Sequence, residues 1–220
     1  MALRRLLDGQ RFRQAIDIGG GYGRLSVILA DYADRVALVD SSQQQLDLAD
    51  DYLGAHPQIS RHQMEASSLR LPDGCADLVS MVRVLHHLPD PTAELRELHR
   101  VLKPGGLAII EVANVAHAMN RLRYLLRRRP IPLSAVDIRS AETRQRHGIP
   151  FVNHHPAALV GRLQSAGLHL ERMLSVSNLR HPAFKRLIPG PALLAAERQL
   201  QHRIAPMYFG PSMFLLLRRA

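Results

Sequence analysis

At 220 residues, 46% hydrophobic and 22% charged, the chain has the composition of one globular domain with enough apolar mass for a single core. One cysteine, Cys75, excludes an internal disulfide and a cysteine-ligated metal cluster, and fits a reducing compartment. The start lacks a signal-type apolar stretch and no run approaches the ~20 residues of a membrane span, so the expectation is a cytoplasmic protein. The formal net charge of +10 raises the question of an anionic partner.

In chain order, an apolar pair, Ala15 and Ile16, precedes Asp17-Ile18-Gly19-Gly20-Gly21-Tyr22-Gly23. That pattern predicts a buried strand ending in a tight glycine loop that feeds a helix, with backbone able to pass close to a ligand. The spacing is not the dinucleotide fingerprint, because Arg24 stands where its third glycine belongs and Gly23 comes one residue early. Leu25, Ile28, Leu29 and Tyr32 fall on one face of the following helix. Arg35 to Val39 is a second short strand closed by Asp40. Ser42 with Gln45 predicts a capping box for a helix that turns Leu46, Ala49 and Leu53 inward.

A third strand is expected near Ile59 to Met64, and a buried fourth over Asp77 to Val84. Asp90 as N-cap and Pro91 at the first helical position start a helix with Leu95, Leu98 and Leu102 inward. Lys103-Pro104-Gly105-Gly106 stops it before a fifth strand, Leu107 to Val112. Residues 114 to 153 are too long for a simple connection and read as an insertion. Within it Met119, Leu122, Leu125 and Leu126 form an apolar stripe beside Arg121, Arg123, Arg127, Arg128 and Arg129. From 118 to 150 the only acids are Asp137 and Glu142. Such a segment can dock on its own domain by the leucines, or lie against an anionic membrane or nucleic acid. His154-His155-Pro156 opens a further helix carrying Leu159, Leu163 and Ala166. A sixth strand, Leu168 to Val176, and a last one, Met213 to Leu217, flank an apolar, basic stretch from Phe184 to Ile204. Alternation of this kind predicts a doubly wound α/β domain, mostly parallel, seven-stranded, with ligands at the carboxyl ends of the strands. We divide the single domain into a cofactor-binding half, 1–113, the basic insertion, 114–153, and a C-terminal half, 154–220.

These motifs together resemble class I S-adenosylmethionine-dependent methyltransferases, in the type 11 branch of small-molecule and quinone-biosynthesis enzymes. The resemblance rests on Asp17 to Gly23, Asp40-Ser41-Ser42, Glu65-Ala66 with Leu71-Pro72-Asp73-Gly74 and Ala76-Asp77-Leu78-Val79, Val84 to Asp90, and Arg100 to Gly106. It covers most of the first 112 residues. It implies a Rossmann-like fold and S-adenosyl-L-methionine as cofactor. It also implies cofactor contacts from Asp17, Gly19, Gly20, Gly21, Gly23, Asp40, Ser41, Glu65, Ala66 and the backbone at Arg83. Asp40 would accept from both ribose hydroxyls, the other reading being a helix cap. Asp17 would hold loop amides or meet the cofactor's ammonium through water. Glu65 would accept from the adenine amino group and the Ala66 amide would face the ring, although the family usually has Asp there. Residues 3 to 12 supply barely two helical turns where relatives carry helices that lid the cofactor. The lid then comes from the insertion, or the site is more open, or the start of the chain is missing.

Methyl transfer needs alignment above all, and a base only if the acceptor must lose a proton. The rim candidates are His86, His87 and Glu111, with Asn114 and His117 beside them. His86 and His87 could titrate near neutrality, or one could brace the turn before Asp90 while the other packs. Glu111 could orient an acceptor or pair with an arginine. The histidines lack the spacing of a metal centre, and no metal is expected. The expected acceptor is a small molecule, with the apolar stretches at 119 to 126 and 184 to 204 pointing to an apolar or lipid-like one. An RNA-modifying enzyme and a non-catalytic cofactor-binding domain are the readings from other classes, weighed against few aromatics and an intact loop respectively.

Overall fold

The computed structural model describes residues 2–145, 148–179, 186 and 188–220. The predicted alternation forms a seven-stranded sheet from strands β1 (Phe12–Ile18), β2 (Ala33–Asp40), β3 (Ile59–Gln63), β4 (Ala76–Met81), β5 (Leu102–Ala113), β8 (Leu168–Val176) and β9 (Ser212–Arg219). Their order is β3-β2-β1-β4-β5-β9-β8. The first five are parallel; β9 runs antiparallel between β5 and β8. β1 pairs with both β2 and β4, and Ala15, Ile16 and Ile18 on it are fully buried, as a central parallel strand requires. The chain reverses its build direction there, so the ends of β1, β2 and β4 form the crevice that in such sheets receives a ligand.

Each face of the sheet has its own core. On one, helices α1 (Ala2–Leu6), α2 (Arg24–Ala30) and α3 (Gln43–Leu53) bury Leu3, Leu6, Leu29, Leu46 and Leu53 against Leu38 and Leu78. On the other, α4 (Thr92–Val101) and α7 (Pro156–Ser165) bury Leu95, Leu98, Leu159 and Leu163 against Val79 and Ile110. Ser42 caps α3 by accepting from the Gln45 amide, as its position predicts. The insertion holds α5 (Ala118–Leu126), a two-stranded ladder of β6 (Val136–Asp137) and β7 (Val152–Asn153), and α6 (Ala141–Gln145). Helix α8 (Gly190–Arg203) precedes β9, while the expected apolar stretch at Phe184, Lys185 and Leu187 lies outside the described residues.

Two expectations are corrected. β4 ends at Met81 rather than Val84, because Arg83 takes a left-handed backbone, φ 63°, and throws the chain into a 3-10 turn, Leu85–His87. α4 starts at Thr92, with Pro91 as its N-cap; Asp90 accepts instead from the Thr92 hydroxyl at 2.7 Å. In α2 Leu29 is buried, and Leu25, Ile28 and, just past the helix end, Tyr32 pack half-buried on the same core, as the periodicity predicts, while Ser26 also turns inward to meet a buried carboxylate. The short α1 agrees with the expectation that residues 3 to 12 supply no lid: Leu3, Leu6 and Leu7 are core residues, and Arg172 of β8 donates to the Leu6 carbonyl.

Leucine substitutions separate the packed helices from α5. Leu98→Ala should cost about 2–5 kcal/mol in urea unfolding, as for a fully buried leucine. The same change at Leu125, which is 73% exposed, should stay within about 0.5 kcal/mol.

Candidate active site

The glycine loop is tied to the end of β2. The amides of Gly19 and Gly20 both donate to the Val39 carbonyl, at 2.7 and 3.1 Å, and the Gly21 amide donates to Asp40 Oδ2 at 2.9 Å. Asp40 Oδ1 accepts from the Ser42 amide at 2.9 Å. Asp40 is therefore not the cap of α3, a place taken by Ser42; its carboxylate is held in the crevice by one amide on each oxygen. Each oxygen keeps lone pairs for a further donor. At three of the loop glycines, Gly20 among them, an added Cβ would come within 3.0 Å of a side chain. At Gly19, φ +66°, a Cβ would collide with Val84 Cγ2; at Gly23, φ +90°, it would lie 2.9 Å from the Leu53 methyls.

Asp17 sits beneath the loop, buried, and accepts from Ser26 Oγ at 2.7 Å and from Ser80 Oγ. Burial pushes its carboxyl up; the Ser80 and Ser26 hydroxyls pull it down, and nearby Asp40 adds to the rise. It thus braces β1 to β4 and α2 through two serines, and not loop amides, the first of the two roles expected of it. Ser80, a lone hydroxyl in the apolar run Asp77–Val82, was the sequence signal for this contact.

Beside Asp40, a pocket of about 360 Å³ is lined by Ser41, Gln63, Met64, Glu65, Ser68 and Arg70. Glu65 is exposed at a tight turn in which the Ser68 amide donates to the Glu65 carbonyl. Ala66 is not among the residues lining the pocket and packs half-buried against the core. Arg70 closes one wall by donating to the Gln63 carbonyl at 2.8 Å. A larger cleft of about 680 Å³ lies between α4 and α7, lined by residues that include Arg96, His99 and Arg162; it includes none of the loop residues.

Across the crevice, the 3-10 turn carries His86 and His87. Their rings lie 4.0 Å apart, and that of His86 is 4.7 Å from Phe151 of the insertion. Burial drives the His86 pKa down to about 4, helped by His87, Arg83 and His154. His87 is exposed and donates through Nδ1 to the Pro150 carbonyl, so it braces the insertion and not the turn before Asp90. His154 is buried and donates through Nε2 to the Leu85 carbonyl at 2.9 Å, while its backbone bridges to Asn114. The sequence suggested only a helix start there; His155, the backbone N-cap of α7, makes no side-chain cap. Glu111 accepts from Ser212 Oγ at 2.5 Å across the β5–β9 pair and meets no arginine among the described residues. Asn114 is fully used: its amide donates to the Tyr208 and Gly210 carbonyls and its oxygen accepts from the Ala116 amide. His117 is the backbone N-cap of α5. Among the described residues no cluster of three His, Cys, Asp or Glu side chains is placed to hold a metal ion.

The loop geometry discriminates between ligands. Three of its amides are spent on Val39 and Asp40 and that of Gly23 on the Gly20 carbonyl, so it has little left to cradle a pyrophosphate. A carboxylate fixed beside a loop that only glycine can form, next to a nucleobase-sized pocket, suits a nucleoside attached to a small polar tail. The residues present fit S-adenosylmethionine.

Comparison with known proteins agrees. Residues 16–110 match the family described as "Methyltransferase domain", type 11. Over 96 residues the chain is 35% identical to 2-methyl-6-phytyl-1,4-hydroquinone methyltransferase from Synechocystis sp., covering 43% of this chain and 30% of that protein. Over 105 residues it is 30% identical to the ubiquinone biosynthesis O-methyltransferase of Pseudomonas aeruginosa, covering 46% and 45%. The match thus spans less than half of these relatives. The crystal structure of an S-adenosylmethionine dependent methyltransferase from Mesorhizobium loti superposes with a TM-score of 0.66 at 18% identity, over 99% of this chain and 96% of that one, and so shares the fold. The class resembled in the sequence, S-adenosylmethionine-dependent methyltransferases with a Rossmann-like sheet, is the class these matches define.

Two outcomes test the site's geometry. Gly19→Ala should lose cofactor affinity by about tenfold or more in equilibrium titration, because the added methyl displaces Val84 and strains a left-handed backbone. The His86 ring should titrate with a midpoint of about 4 by NMR, against 6.5 for an ordinary histidine. Because its folded-state pKa is depressed, its contribution to stability is present above about 6.5 and is lost as the pH falls through about 4. A midpoint near 6.5 would contradict the buried ring.

Proposed function

We propose that this chain transfers a methyl group from S-adenosylmethionine to an oxygen, nitrogen or carbon atom of a small, apolar acceptor. The observation that carries this reading is the Asp40 carboxylate, fixed by the Gly21 and Ser42 amides at the mouth of the glycine loop. In this role Asp40 accepts from the ribose hydroxyls. The pocket of Ser41, Met64 and Glu65 receives the adenine, and the Ala66 amide faces the ring from beside it. The backbone of Gly19 to Gly23 passes under the amino-acid tail, and the backbone turn at Arg83 closes that end. Asp17 acts from below, keeping the loop in place through Ser26 and Ser80. The cofactor supplies a methyl carbon already activated by its sulfonium.

The protein's remaining task is to align an acceptor and keep water away. The insertion, 114–153, serves as the acceptor cap, brought to the crevice by Phe151 against His86 and by Pro150 against His87. A histidine with a pKa of about 4 stays neutral at physiological pH and is a weak proton acceptor. His86 therefore positions an acceptor hydroxyl by hydrogen bonding and does not carry away its proton. The names of the quinone-pathway relatives support an acceptor of that apolar, hydroxylated kind. The single cysteine supports a reducing, cytoplasmic setting; no helix among the described residues is long and apolar enough to cross a membrane.

Calorimetric titration of S-adenosylmethionine and S-adenosylhomocysteine tests the proposal. One saturable site is expected, weakened about 10- to 100-fold in Asp40→Ala, the range for losing hydrogen bonds to a charged group. Equal affinity of the variant would place the nucleoside elsewhere and refute the assignment.

A further inference from the structure

Helix α5 is built the wrong way round for a helix packed on its own domain. Ala118, Asn120 and Tyr124 are its half-buried residues, and no residue of it is buried. Its apolar side chains point outward: Met119 is 56% exposed, Leu122 48%, Leu125 73% and Leu126 75%. At 100° per residue these four share one arc about 120° wide. Arg121 flanks one side of the arc and Arg123 and Arg127 the other, with Arg129 just past the helix end. None of these arginines pairs with a carboxylate among the described residues, and no acid lies between Glu111 and Asp137.

We infer that α5 is an interfacial anchor that docks this face on an anionic lipid bilayer. Exposed leucines have nothing to gain from a nucleic-acid backbone, but they insert at the boundary between headgroups and acyl chains while flanking guanidinium groups meet lipid phosphates. The charge pattern requires an anionic partner, and the apolar arc requires one that also offers hydrocarbon; a bilayer supplies both in one plane. The helix N-terminus adjoins the end of β5, where the Ala118 amide donates to the Phe209 carbonyl. Phe209 and Met207 are themselves partly exposed, which extends the apolar face toward the crevice. Docking needs neither cofactor nor acceptor, so its test is independent of the methyl-transfer proposal.

The experiment is co-sedimentation of the full chain with vesicles of phosphatidylcholine alone and of phosphatidylcholine mixed equally with phosphatidylglycerol. Binding is expected only to the mixed vesicles. The triple change Arg123→Gln, Arg127→Gln, Arg129→Gln should lower partitioning about a hundredfold at low salt. The double change Leu125→Ser, Leu126→Ser should lower it about tenfold or more at every salt concentration. Both sets of side chains are exposed, and unchanged circular dichroism and thermal unfolding would show that the variants fold. Wild-type affinity in the leucine variant, equal binding to neutral vesicles, or no sedimentation at low salt would each overturn the inference. So would tighter binding to a transfer RNA that the leucine variant retains, which would assign the face to nucleic acid.

Discussion

The site depends on how three consecutive glycine amides are used. Gly19, Gly20 and Gly21 donate to the last two residues of β2, so the loop after β1 cannot move independently of the strand beside it. The same bonds fix the rotamer of Asp40 before any ligand arrives, which removes an ordering cost from binding. They also make the loop a poor anion cradle. Glycine is used here for close approach, not for free amides, and this separates the loop from a pyrophosphate-cradling one on a similar sheet.

A second layer of buried polar contacts holds this arrangement to the rest of the molecule. Asp17 joins β1 to β4 and α2 through two serine hydroxyls, and no cation among the described residues pairs with it; burial favours its protonated form while the hydroxyls favour the charged one. On the far side of the crevice, Asn114 ties the end of β5 to the approach to β9, and His154 holds the 3-10 turn that carries His86. Each group is buried and satisfied, so each is costly to remove and specific in what it positions. His86 owes its depressed pKa to this packing, and that favours a positioning role over a proton-removing one.

Much of this was legible in the sequence because local rules decide it. The glycine spacing, the acid closing β2, the Ser42 cap and the strand alternation are set by backbone sterics and short-range periodicity. The misses fall where distant partners decide. Nothing near Ser26 indicates that it faces inward, since its reason is Asp17 nine residues earlier. His154 looks like a helix-start residue until β5 and the turn at Leu85 are brought together. Periodicity revealed an apolar stripe on α5, but a stripe does not state what it faces; Asn120 and Tyr124, on the opposite side, face the protein instead. Arg83 ended β4 early through a left-handed backbone that its residue type disfavours, at a point beside Gly19 where the chain must turn over the loop.

The most direct measurement is a crystal structure with S-adenosylhomocysteine bound. The account predicts ribose hydroxyls on the Asp40 carboxylate, adenine against Met64 and Glu65, and the amino-acid tail over Gly19 to Gly23 with the loop unmoved. A nucleoside bound instead in the cleft between α4 and α7, or a loop whose Val39 and Asp40 bonds break on binding, would contradict it.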